Sequence, residues 1–355
     1  MTPSALALIV AVFEGDERGA AIGTWTAWTG IAFVIGPVVG GWLLDVASWR
    51  WIFLINLPLV AATIALVLAG APRAEAGGKR VRVDVVGAVL CVVALGATVF
   101  AFIEQPRLGW GHPAIVASLV VGVVAFCAFL VYEARVSHPM LPLRLFSSRN
   151  FSVTNGETLL VYAGLSTLTF FLVIFLQQIA GWKPLASGLA LVPVTIVMFV
   201  LSPRVGRLSI RLGPRLFMGL GPLVAAAGLL PFARLGRHPD YWVEVLPWVL
   251  VFAVGLSMTV APLTSTVLSE AGPADAGIAS GVNNAVARVA GLLGIALVGL
   301  AASGQSNRLD MHGFHMAMLI TAVLVGAGGV IGAIGIRNPR RQRLDAEAAA
   351  AAAEF

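Results

Sequence analysis

The sequence predicts an all-α integral membrane protein: a helical bundle with about ten full spans and a partial first one. Three observations carry this. Of 355 residues, 59% are hydrophobic and only 11% charged, whereas a soluble domain has roughly 25% charged residues. The apolar residues gather in runs near the roughly 20 residues needed to cross a bilayer. The runs also lack the two-residue alternation of barrel strands, which leaves helices.

The runs fall at 20–44, 51–71, 84–104, 114–133, 153–180, 187–206, 215–234, 244–269, 278–301 and 314–336. Before them stands "MTPSALALIVAVF", whose apolar part, Ala5 to Phe13, is too short to span. No basic residue precedes Arg18, which argues against a signal peptide and for the end of a spanning helix. The first run holds "GIAFVIGPVVGGWLL", residues 30–44. Ala32, Gly36 and Gly40 share one helical face, which lets another helix approach backbone to backbone. Pro37 removes a helical hydrogen bond and sets a bend, with Gly41 adding slack beside it. Cys91 and Cys127 lie inside apolar runs and read as small hydrophobes rather than a disulfide or a thiolate metal site.

The net charge is +6. The basic residues occupy short loops, where they set topology and meet lipid headgroups rather than nucleic acid. If the loop around Arg18 is cytoplasmic, alternation puts most of the basic residues on that side. These include the groups Arg73–Arg82, Arg135–Arg149, Arg204–Arg215 and Arg337–Arg343. The other side keeps Arg50, Arg107, Lys183, Arg234, Arg237 and Arg308. The positive-inside rule then places the C-terminal tail in the cytoplasm. That tail, 338–355, is basic and then Ala-rich and reads as a solvated end.

Polar groups inside spans are expensive and mark cavities or helix contacts. In run 153–180, Glu157, Gly164, Phe171 and Gln178 recur every seven residues and so share a stripe. Glu157 sits about 9 Å into its span. It is either a proton carrier or an interfacial carboxylate that reaches water. In run 278–301, Gly277, Gly281, Asn284 and Arg288 lie on one face, with Arg288 near the midplane. An arginine there needs acceptors, for which Asn283, Asn284 and Glu157 are the nearest by type. It is an electrostatic or gating element, or a hub tying helices together. In run 244–269, Gly255, Thr259, Pro262, Thr266 and Ser269 form a polar, uncharged face. That face is either a wall for a broad amphipathic substrate or ordinary small-residue packing.

No GxxxxGK[ST], HExxH or GxSxG motif occurs, so an ATP-driven pump or a hydrolase has no support. No enzyme activity and no cofactor are expected. His312 and His315 have ligand-like spacing but no third ligand type nearby, so no metal is expected.

Several stretches carry a resemblance. Gly23, Ala32, Gly36, Pro37, Gly40 and Gly41 resemble the antiporter motif of the fifth helix in Major Facilitator Superfamily drug exporters, with Ala32 where glycine is usual. "WRWIFLINLP" (Trp49 to Pro58), "LRLFSSRNF" (Leu143 to Phe151) and "ASGVNNAVARVAG" (Ala279 to Gly291) resemble signatures of its fourteen-span drug:proton antiporters. "GRLSIRLGPR" (Gly206 to Arg215) resembles the superfamily's repeated cytoplasmic loop, with Ile210 replacing an acidic residue.

The resemblance implies a chain that starts late in helix four. Residues 1–71 would be a remnant of the N-terminal six-helix bundle and 72–142 two inserted helices. Residues 143–337 would then be a complete C-terminal six-helix bundle, followed by the tail. It further implies proton-coupled efflux of small amphipathic compounds by alternating access at the plasma membrane, with protons and membrane lipids as partners. The helix bearing Glu157 would line the central cavity. Phe171, Gln178, Gly255, Thr259, Pro262 and Thr266 would be substrate-cavity candidates. Two alternatives stay open: a truncated, non-transporting fragment or scaffold, and an exporter of an endogenous lipid, siderophore or antibiotic. The sequence leaves oligomeric state open.

Overall fold

The structure, a computed structural model, describes residues 36, 39–44, 46–70, 84–137, 139–302 and 309–338. It is an all-helical bundle, as the apolar runs require. Among the described residues, eight helices are long and apolar enough to span a membrane, and the protein is a multi-pass membrane protein.

After helical residues 39–44 come α1 (Arg50–Leu54) and α2 (Asn56–Gly70). The run expected at 51–71 is therefore interrupted at Ile55, and its apolar part, Arg50–Leu66, is shorter than a full span. The break coincides with Asn56, whose side chain bonds back to Ile52 O at 2.9 Å. Next come α3 (Val85–Leu108) and α4 (Pro113–Glu133), which pair with each other along their length. Asp84 caps α3 through Gly87 N, and His112 caps α4 with Pro113 at its first position. Cys91 is half-buried and Cys127 exposed, so only the first is partly shielded by the fold.

Six spans follow. They are α5 (Arg149–Gln178), the short α6 (Pro184–Leu189) running into α7 (Val192–Leu212), α8 (Pro214–Leu229), α9 (Leu246–Ala302) and α10 (Met311–Gly335). Between α7 and α8 the chain turns at Gly213, whose φ of +90° suits glycine alone. The Asn338 side chain lies directly over this glycine and accepts from Arg215 N.

The 57-residue α9 takes in two of the runs that the sequence separates. Helical bonding continues through their junction, yet the element is not one rod. Its first leg, within Tyr241–Ala271, runs antiparallel to α8: Phe252 packs on Gly228, Gly255 on Gly221, and Thr266 on Met218. Its second leg, Gly277–Gly299, runs back beside α5, from Asn283 near Asn155 to Gly299 near Phe171. The reversal therefore falls between Ala271 and Gly277. An ion pair at 2.7 Å between Arg144 and Asp275 holds it to the chain entering α5.

Helices in lipid associate by close packing rather than by hiding apolar surface from water. The glycines show where. A methyl group at Gly294 would meet Ala163 Cα at 2.9 Å, and one at Gly228 would meet Phe252 N at 2.6 Å. At Gly329 it would meet Gly219 O at 2.8 Å. Around these contacts Leu172, Phe175, Leu229, Val249, Phe252 and Phe314 form the buried core. Phe175 and Phe314 stack at 4.0 Å, closing the end of the bundle where α10 begins.

Candidate functional site

The other end of the bundle is closed by hydrogen bonds, and the "LRLFSSRNF" stretch supplies them. Leu145 and Phe151 are buried and anchor it. Ser148 caps α5 through Phe151 N and donates to Glu270 at 2.6 Å. Asn150 donates to the other oxygen of Glu270 at 2.8 Å and also bonds both backbone groups of Arg337. Arg149 donates to Gly335 O at 2.9 Å, at the carbonyl end of α10, where a cation is favoured. Arg215 does the same to Ala333 O at 2.6 Å. One short stretch thus joins α5, α9 and α10. Glu270, its main acceptor, does not stand out in the sequence. A carboxylate at a span end opposite a Ser–Arg–Asn cluster is the signal that could have found it.

Glu157 lies deeper. Its side chain is fully buried, and neither carboxyl oxygen has a hydrogen-bond partner among the described residues. The carboxyl therefore does not reach water in this structure. The carboxyl sits between α5, α8 and α10 over Gly332. A methyl group at Gly332 would meet Glu157 Oε2 at 2.6 Å and Met218 O at 2.5 Å. Gly164, on the same stripe, faces Val325 and Thr321 of α10. Phe171 is buried beside Gly299, while Gln178 is exposed at the helix end. The stripe is therefore mostly an internal seam rather than a continuous cavity wall.

The face of Gly255, Thr259, Pro262 and Thr266 is also an internal seam. All four are buried, and the face packs on Gly221, Ala225 and Met218 of α8. Its hydroxyls bond their own helix: Thr259 to Gly255 O and Thr266 to Pro262 O, both at 2.8 Å. Such a face looks polar in sequence yet needs no water. Ser269, at the end of the same row, is exposed.

Asn283 joins the second leg of α9 to α5 through Asn155 and Thr158, at 3.2 and 2.8 Å. Asn284 is exposed and donates to Ser280 O at 3.0 Å. Arg288 is exposed too. None of Asn283, Asn284 and Glu157 serves as its acceptor.

Of the Gly-Pro helix, Gly23, Ala32 and Pro37 lie outside the described residues. Gly36 and Gly40 face open space, whereas Gly41 lies against Leu185 of α6, where a methyl group at Gly41 would meet Leu185 Cα at 2.8 Å. His315 bonds Leu235 O at 2.9 Å, and no metal-binding cluster occurs among the described residues.

The sequence matches the family model described as Major Facilitator Superfamily over residues 1–295 and, in a second match, 158–353. It is 34% identical over 336 residues to the puromycin resistance protein pur8 of Streptomyces alboniger, covering 92% of this chain and 65% of that one. It is 33% identical over 304 residues to the tetracenomycin C resistance and export protein of Streptomyces glaucescens, covering 84% and 56%. To the multidrug resistance protein Stp of Mycobacterium tuberculosis it is 31% identical over 312 residues, covering 87% and 57%. The chain thus spans between 56% and 65% of the length of these three relatives. Family match, identity and helical architecture agree: the chain belongs to the Major Facilitator Superfamily, a family of transporters and not of enzymes.

Proposed function

We propose that the chain forms the larger part of an exporter of small amphipathic compounds, drugs or antibiotics, driven by proton exchange at the plasma membrane. The observation that carries this reading is the likeness to resistance and export proteins over most of the chain. The packing supports it. Six spans joined through glycine contacts make a stiff lobe, and alternating access works by rocking such lobes about a central site. Residues 143–337 are that lobe in this reading, 72–142 the inserted pair, and 1–71 part of the opposing lobe, with the tail in the cytoplasm. The proton element is Glu157: a buried carboxyl without a partner is placed to respond to its proton when the helices around it shift.

Export requires that proton and substrate binding be coupled with opposite sign. The test is accumulation of a panel of fluorescent compounds in cells lacking their own exporters, with and without a protonophore. Lowered accumulation that the protonophore restores is the expected result. Unchanged accumulation of every compound ends the efflux reading and favours a non-transporting fragment. Lowered accumulation indifferent to the protonophore ends proton coupling. Glu157→Gln should abolish the protonophore-sensitive part while leaving expression intact.

A narrower cargo is the second reading. It is favoured by relatives named for single antibiotics, puromycin and tetracenomycin C. Protection against one compound only in the panel would select it.

A further inference from the structure

We propose that the open face formed by α5 and the second leg of α9 is a ligand site for the anionic group of an amphipathic compound, with Arg288 as its cation. The inference rests on the exporter reading for the ligand class, but not for the existence of the site.

The second leg spans 23 residues from Gly277 to Gly299, about 34 Å of helix. Arg288 stands at its middle, about 16 Å from either end. It cannot shed its proton, and a charge at mid-membrane faces water or a counter-charge rather than acyl chains. Yet Arg288 is exposed and makes no hydrogen bond or ion pair among the described residues. Among the described residues, the acids of α5 and of the first leg of α9 within the spans are engaged elsewhere. Glu157 is enclosed against Gly332 and Met218, and Glu270 is held by Ser148 and Asn150. The second leg itself carries no acid from Gly277 to Gly299.

The surroundings give the ligand its shape. Asn284 lies one turn before Arg288 and Leu292 one turn after, so the three share a face, and all are exposed. The side-chain amide of Asn284 donates to Ser280 O, and its oxygen accepts no hydrogen bond among the described residues. Asn283 bonds Thr158 and Gly291 lies against Ser166, so Tyr162 of α5 stands at about the level of Arg288, and Leu159 and Phe170 are exposed on the same helix. One cation, one amide and one phenol set in apolar walls suit a flat apolar body with an anionic head. A few fixed polar groups in an apolar pocket commonly give orientation and specificity. Helix contact keeps the face in place: Gly291 and Gly294 bring the leg against Ser166 and Ala163.

The test uses the purified chain in detergent micelles, with micelle-only blanks. Binding of 1-anilinonaphthalene-8-sulfonate is compared with that of its neutral analogue N-phenyl-1-naphthylamine. A charge-assisted contact predicts that the sulfonate binds about tenfold tighter than the neutral compound. Arg288→Ala should abolish that preference, and Arg288→Lys should keep most of it. Equal affinity of the unaltered protein for both probes overturns the proposal, whether the face is unused or an acid outside the described residues already saturates Arg288. A preference that survives Arg288→Ala overturns it as well. If Arg288→Ala does not give monodisperse protein, the preference of the unaltered chain and of Arg288→Lys still decides. Sulfonate preference without any cellular efflux would leave the site standing and end the exporter reading. Efflux without sulfonate preference would do the reverse.

Discussion

Two glycine-rich regions of this chain use the same residue differently. Within the six spans from Arg149 to Gly335, glycine marks where two backbones meet. A methyl group at Gly294 would meet Ala163 at 2.9 Å, and one at Gly332 would meet Met218 O at 2.5 Å. In the Gly-Pro helix, Gly36 and Gly40 have nothing within 4 Å, and Gly41 alone touches another element. A small-residue ridge is half of an interface. It becomes stabilising only when another helix fills it, because helix association in lipid depends on packing contacts.

The largest effect is expected at Gly294. Gly294→Leu forces a branched side chain against the backbone of Ala163. Overpacking of this kind costs about 1–3 kcal/mol, and more where backbone cannot move. We expect loss of monodisperse protein by size exclusion in detergent. Gly40→Leu places the same side chain in open space and should leave the elution profile and thermal unfolding unchanged. Equal damage from both substitutions would mean that the two regions do not differ as described.

Gly332 links this packing to the buried carboxyl. Gly332→Ala should destabilise by about 1–3 kcal/mol through its collision with Glu157 and Met218 O. Combining it with Glu157→Ala removes one of the two collisions. The pair should therefore couple by about 0.5–3 kcal/mol in a double-mutant cycle of thermal unfolding in detergent. Strict additivity would show that the two groups do not share the space.

Much of the fold was legible because a bilayer imposes length on helices. The runs at 153–180, 215–234 and 314–336 lie within a few residues of α5, of the span containing α8, and of α10. Legibility failed where the answer depended on direction rather than length. Residue counting puts Glu157 at a shallow depth, but depth does not say which neighbour a side chain faces. It faces Gly332, whose lack of a side chain makes the room. The Gly255–Thr266 stripe suggests a polar wall because hydroxyls read as solvent-seeking. Each instead bonds a carbonyl one turn back in its own helix, which lets it pack dry on α8. Arg288 was legible in depth, but its surroundings were not: no acceptor of the expected type reaches it. The reversal inside α9 is visible as a gap in apolarity, not as a break in helical bonding.

A smaller effect belongs to the hydrogen-bonded end. Ser148→Ala removes a helix cap and a donor to Glu270, at about 1 kcal/mol. Glu270→Gln keeps the shape but weakens both bonds and should lower thermal stability by a similar amount. The double variant should lose less than the sum, since both act on one contact. A full sum would place them in separate networks.

The smallest effect is expected at Gly41, where the two regions meet. Its contact with Leu185 is one close approach against the short α6, which can shift, so Gly41→Ala should shift unfolding by less than about 1 kcal/mol. The contact is better read by proximity than by stability. With Cys91 and Cys127 replaced by alanine, Gly41→Cys with Leu185→Cys should cross-link under mild oxidation, since the approach brings the Cβ positions within disulfide reach. Gly36→Cys and Gly40→Cys with the same Leu185→Cys should not. Cross-linking at all three positions would mean that the Gly-Pro helix lies flat against α6 and that its glycines are filled after all. No cross-link at Gly41 would remove the contact with Leu185 and, with it, this link between the Gly-Pro helix and the six-span bundle.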